Sequence, residues 1–106
     1  MITFIAHVRV RPENAAAFEE LMAHVAAQTR AHEPGVAYYA YSKSVADPQL
    51  YVVVEVYLDP SAHAAHMASS WVTESLPRSA RLMEGKPDIK QYVSEGSEPV
   101  RGPSVF

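Results

Sequence analysis

The run Leu50-Tyr51-Val52-Val53-Val54, continuing through Glu55 to Val56-Tyr57-Leu58, constrains this chain most. Its β-branched and aromatic residues predict a strand over Leu50 to Leu58. Consecutive side chains of a strand point to opposite faces. An unbroken apolar run therefore asks for cover on both faces of its sheet. Glu55 is the one charge in that run. The chain has 106 residues, the length of one compact domain. Helices are expected on one face, and a second copy of the chain is the economical cover for the other.

The other elements read in order. From Ile2 to Val10 the residues alternate. Ile2, Phe4, Ala6, Val8 and Val10 share one face, and Thr3, Ile5, His7 and Arg9 share the other, which predicts a strand. Pro12 and Glu13 open a helix, where a missing N–H costs nothing and a carboxylate suits the dipole. Phe18, Leu21, Met22, Val25 and Thr29 form its apolar stripe, and Pro34-Gly35 ends it. Val36 to Ser44 is a second strand carrying Tyr38, Tyr39 and Tyr41. The Asp47-Pro48 turn joins it to the third as an antiparallel hairpin. Asp59 caps a second helix, opened by Pro60, that reaches about Ser69. His63, His66, Met67, Ser70 and Trp71 lie three and four apart along it, unless Ser69-Ser70 breaks it. Val72 to Met83 is helical again, with Pro77 at a start or a kink, and Ile89 to Val93 is a fourth strand. The order β-α-β-β-α-β is the split, ferredoxin-like pattern of the α+β class, with a four-stranded antiparallel sheet. The domain spans residues 1–94, and residues 95–106 form a Pro/Gly-rich tail that wraps a partner subunit or stays loose.

Composition excludes several function classes. The net charge is −3 and there is no Lys/Arg block, so nucleic acid and anionic membrane are poor partners. No apolar run approaches the roughly 20 residues of a membrane helix, and the first ten residues do not read as a signal peptide. The absence of cysteine removes disulfides, thiolate catalysis and Cys-based metal sites. The expected location is cytoplasmic.

Glu33-Pro34-Gly35, Tyr39, Asp47-Pro48, Glu55-Val56-Tyr57 and Ala65-His66 followed by Ser69 resemble the antibiotic biosynthesis monooxygenase family. The resemblance covers roughly residues 2 to 94. It implies a homodimer joined sheet to sheet as an α+β barrel, with a pocket in each subunit between helices and sheet. It implies oxidation of a small aromatic, quinol-like or polyketide-like substrate by O2, with no metal, flavin or haem cofactor. Many relatives carry Ser-Pro-His-Phe where this chain reads Ser69-Ser70-Trp71-Val72, so Trp71 stands in place of a second histidine. The haem-degrading members use a first-strand asparagine and a later histidine. Here the first strand has His7, and no histidine follows His66, so the pattern points away from haem degradation.

His66 is the candidate proton acceptor, because a near-neutral imidazole can deprotonate a phenol or enol. His7 is a candidate donor to a substrate oxygen. Trp71, Tyr39, Tyr41, Tyr57 and Met67 are candidate pocket walls, against the commoner fate of core packing. Glu55 either serves the site or pairs with Arg9 or Lys43 across the sheet, since an unpaired buried charge is costly. His63 and His66, three residues apart, are too weak a signal for a metal site. Two other readings stand beside the oxygenase. One is a non-oxidative isomerase or cyclase using the same groups. The other is a non-catalytic ligand-binding or dimer module, which a side-chain-filled pocket favours.

Overall fold

The computed structural model describes residues 1–102; the last four residues of the tail lie outside the described residues. Four strands form one sheet: β1 (Ile2–Arg9), β2 (Val36–Lys43), β3 (Leu50–Tyr57) and β4 (Asp88–Val93). A short 3-10 turn over Pro12–Asn14 leads into α1 (Ala15–His32). Two further helices, α2 (Pro60–Ala68) and α3 (Ser70–Leu82), lie between β3 and β4. The strand order is β2-β3-β1-β4, antiparallel throughout. This is the ferredoxin-like α+β arrangement, with one helical arm divided in two.

Alternation sorts each strand between two faces. Register places Phe4 opposite Glu55, Ala6 opposite Val53 and Tyr39 opposite Glu55. Those residues share the helix-covered face with Ile2, Val8, Tyr51 and Tyr57, all buried. From α1, Phe18, Met22, Val25 and Ala26 pack onto this face, joined by Val72 of α3. Each large apolar side chain removed from water there contributes about 1.5–3 kcal/mol. Val52, Val54 and Val56 point to the other face and are only partly buried, beside Ile5 and the exposed Tyr38 and Tyr92. The doubly apolar β3 is thus covered on one side within the chain and open on the other.

Local chemistry sets the element ends. Asp59 caps α2 by accepting from the Ala62 N–H at 2.8 Å. Ser69 ends α2 and starts α3 in one extended residue (φ −66°, ψ 150°). Its hydroxyl donates to the His66 carbonyl at 2.7 Å and accepts from the Val72 N–H at 3.4 Å. Pro77 lies inside α3, at neither a start nor an end. It is exposed, so water can reach the carbonyl one turn back that loses its donor. The described part of the tail folds back on its own chain. The Gln91 side chain accepts from the Val100 N–H at 2.7 Å and donates to the Val100 carbonyl at 2.9 Å. Val100 packs against the cluster of Ile2, Phe4 and Tyr57.

Candidate active site

The segment Glu33-Pro34-Gly35 builds one wall of the site. A residue before proline is pushed out of the helical region, and Glu33 ends α1 at φ −120°, ψ 85°. Its side chain turns inward and is only 8% exposed. Gly35 allows α2 to come close: a Cβ there would stand 2.7 Å from the Ala62 Cβ. The second wall is α2, whose inward face carries His63 and His66, three residues apart and both buried. The floor is Glu55 and Tyr57 of β3 with Tyr39 of β2.

These groups form one polar centre inside an apolar layer. His66 places Nδ1 3.0 Å from both carboxylate oxygens of Glu33. Carboxylates only accept, so Nδ1 carries the proton and, in the neutral ring, Nε2 is a bare acceptor. Trp71 donates its indole N–H to the same Glu33 carboxylate at 2.7 Å. The His66 ring lies 5.2 Å from Tyr39 and 5.5 Å from Tyr57, centroid to centroid. Its Nε2 stands 4.0 Å from Glu55 Oε1. The Tyr57 hydroxyl donates to that same Oε1. His63 stacks on Phe4 at 4.9 Å and meets Tyr57 edge-on at 5.0 Å. Among the described residues, Glu55 Oε2, His66 Nε2, His63 Nε2 and Thr29 Oγ1 are buried polar atoms with no partner. Buried polar atoms are usually satisfied, so three orphans around the Tyr57 ring mark this place as a site.

Burial dominates its electrostatics. It pushes the Glu55 carboxyl up to about 8, against a downward pull from the Tyr57 hydrogen bond and a further push from Glu33. Burial lowers both histidines; Glu33 opposes the shift at His66, and His66 adds to it at His63. Burial, then Glu55, raises the phenols of Tyr39 and Tyr57. At neutral pH the centre thus offers a neutral carboxylic acid beside a neutral imidazole.

The structure separates some of the predicted residues. His66, Tyr39, Tyr57 and Glu55 converge, and Trp71 joins them through Glu33. Tyr41 lies on the same face opposite Val53, partly buried against the core. Met67 and His63 line a cleft of about 550 Å³ between α2 and the tail residues Pro99, Val100 and Arg101. His7 does not join them. It is exposed on the open face, opposite Val52 and Asp88, because strand alternation turns it away from the helices. Glu55 pairs with neither Arg9 nor Lys43. Arg9 pairs with Asp47 at 3.0 Å on the open face, and Lys43 with Glu19 at 2.9 Å at the far end of β3. Glu33 was not expected here, and His63 was expected only to share a helix face with His66. The signal for Glu33 was its place before Pro34-Gly35, and for His63 its place one turn before His66. Among the described residues no three His, Cys, Asp or Glu side chains are disposed to hold a metal ion.

The antibiotic biosynthesis monooxygenase family model matches residues 1–77, most of the chain. The chain belongs to that family. A crystal structure from Caulobacter crescentus, described as a candidate member, superposes with a TM-score of 0.81 at 28% identity over 86% of each chain. One from Deinococcus radiodurans gives 0.81 at 23% identity, covering 96% of this chain and all of that one. One from Nitrosomonas europaea gives 0.83 at 23% identity, covering 90% and 99%. At those lower identities the likeness is one of fold. Among curated proteins none matches this sequence. Membership supports a general monooxygenase-like role. Among the described residues no helix is long and apolar enough to cross a membrane.

Proposed function

We propose that the chain is a cofactor-independent monooxygenase that oxidises a small aromatic, quinol-like or polyketide-like substrate with O2. The observation that carries this is the bare Nε2 of fully buried His66, with Nδ1–H held by Glu33. A base whose tautomer is fixed by a carboxylate, buried among aromatic side chains, suits deprotonation of a weakly acidic phenol or enol. The resulting electron-rich anion can itself reduce O2. Tyr39, Tyr57 and Trp71 supply flat apolar walls with polar tips, matched to a polycyclic substrate bearing hydroxyl or keto groups. The cleft beside His63 and Met67 is the proposed approach, and α2 or the tail must shift to admit the substrate. The half-covered apolar face of Val52, Val54 and Val56 supports a sheet-to-sheet homodimer.

Oxygen uptake with a panel of quinols and anthrone-like phenols tests this reading. Uptake that disappears in His66→Ala supports it; undiminished uptake removes His66 from the reaction. Turnover under strict anaerobiosis would select an isomerase or cyclase instead. One observation favours a second reading. The centre is filled by its own side chains, as expected of a ligand-binding or dimer module without turnover. Ligand binding with neither aerobic nor anaerobic turnover would select that reading.

A further inference from the structure

We infer that Glu55 is the proton donor of the same reaction, paired with His66 as base, and that one turnover returns both to their starting protonation states; this rests on the monooxygenase reading. The geometry comes first. Tyr57 donates to Glu55 Oε1, so the proton of a neutral Glu55 sits on Oε2. That Oε2 is buried and has no acceptor among the described residues. His66 Nε2 is buried and has no donor among the described residues. The site thus presents one unused acid and one unused base around one tyrosine ring. Burial keeps the acid protonated at neutral pH. Neither orphan helps the fold, since an unmade buried hydrogen bond costs stability.

Such a pair suits cofactor-free oxygenation, which moves one proton off the substrate and one onto the peroxide. His66 takes a proton from the reacting carbon acid, leaving a carbanion or enolate. That anion reduces O2 and forms a C–O bond, giving a peroxide anion. Glu55 protonates its terminal oxygen and becomes a carboxylate. The carboxylate then takes the remaining hydrogen of that carbon as a proton, and the C–H electron pair forms the carbonyl. The O–O bond breaks and hydroxide leaves. Hydroxide takes the proton from His66, giving water. The substrate supplies all four electrons, one oxygen atom enters the product and one leaves as water. Both side chains end as they began. His66 Nε2 stands 4.0 Å from Glu55 Oε1, so the carboxyl group and the base lie beside one another.

The test uses the full chain with a substrate that supports oxygen uptake, and Glu55→Gln, which keeps size and neutrality. Substrate-anion formation under anaerobic conditions should persist in Glu55→Gln, read from its absorbance. Oxygen-dependent product formation should fall roughly 10²-fold or more, with hydroperoxide or H2O2 released in its place. Product formation within about threefold of the unaltered protein overturns the inference and leaves the monooxygenase reading standing. So does a coincident loss of anion formation and product, which marks a merely structural role. An infrared difference spectrum at neutral pH gives a second readout, with the fold of Glu55→Gln checked by circular dichroism. A neutral-acid carbonyl band that disappears in Glu55→Gln supports the assignment, and an ionised Glu55 overturns it. No oxygen uptake by the unaltered protein overturns both readings together.

Discussion

The Nε2 of His66 stands 4.0 Å from Oε1 of Glu55, too far for a hydrogen bond and close enough for one substrate to meet both side chains. Two groups working as one unit give non-additive losses. His66→Gln should lower kcat/KM for oxygen uptake by about 10² to 10⁴-fold. Adding Glu55→Gln to it should cost much less than Glu55→Gln costs alone. A double-mutant cycle on initial rates checks this, and additive losses would mean that the pair does not act together.

Glu33 is the shared acceptor of His66 and Trp71. Glu33→Gln replaces a charged acceptor with one neutral amide oxygen and sets an NH2 beside the two N–H donors, which loosens their hold. Glu33 favours the protonated imidazole and burial opposes it. Removing the carboxylate should therefore lower the His66 pKa further. The acid limb of the kcat/KM profile should move to lower pH and the rate should fall, by at least about 10-fold, as the tautomer is released. The indole should change its fluorescence at the same time. An unmoved acid limb would show that His66 is not the titrating base.

Stability should depend on pH through Glu55 with a definite sign. Its folded-state pKa is raised from 4.5 to about 8. Between those values the folded chain binds more protons than the unfolded one, so stability falls as pH rises through that window. His63 and His66 are shifted down from 6.5, so their contribution is lost as pH falls below that value. Glu55→Gln should remove the alkaline loss and keep the acid one. Its stability relative to the unaltered protein should grow across the window by on the order of a few kcal/mol. Urea midpoints from pH 4.5 to 8 measure it, and a constant difference between the two proteins would refute the buried neutral acid.

Gly35→Ala should destabilise the chain by about 1–3 kcal/mol, because its methyl meets the Ala62 Cβ at 2.7 Å. α2 must back away, carrying His66 from Glu33. Denaturant midpoints should drop and oxygen uptake with them. Wild-type stability would show that the turn yields instead of the helix.

Gln91→Ala removes both hydrogen bonds that hold Val100. Hydrogen exchange at the Val100 amide should quicken, and the cleft beside His63 should open. Substrate association should speed up with little change in global stability. Unchanged exchange would show that side-chain packing alone seats the tail.

Much of this was legible in the chain. Residues at alternate positions told the faces of β1 apart, and period and caps located α1 and α2. Pro77 was harder, because proline reads as a start or a kink whereas an exposed helix interior also tolerates it. His66 was legible as a candidate because an imidazole on the inward face of a helix is chemically distinctive. Glu33 was not, because a carboxylate at a helix end normally faces water. Only the turn imposed by Pro34 and the closeness allowed by Gly35 bring it under α2.

The sequence by itself determined the elements, the two faces of the sheet and the family pattern. Those follow from local periodicity and from residues that dictate backbone angles. Tertiary structure decided which of them meet. It put His7 and His66 on opposite sides of one sheet, because register and alternation, not residue type, choose a face. It gave Glu55 a tyrosine and a histidine in place of a cation, because Arg9 and Lys43 found Asp47 and Glu19 instead. A buried carboxyl left with those neighbours keeps its proton, and that charge state is a property of the fold.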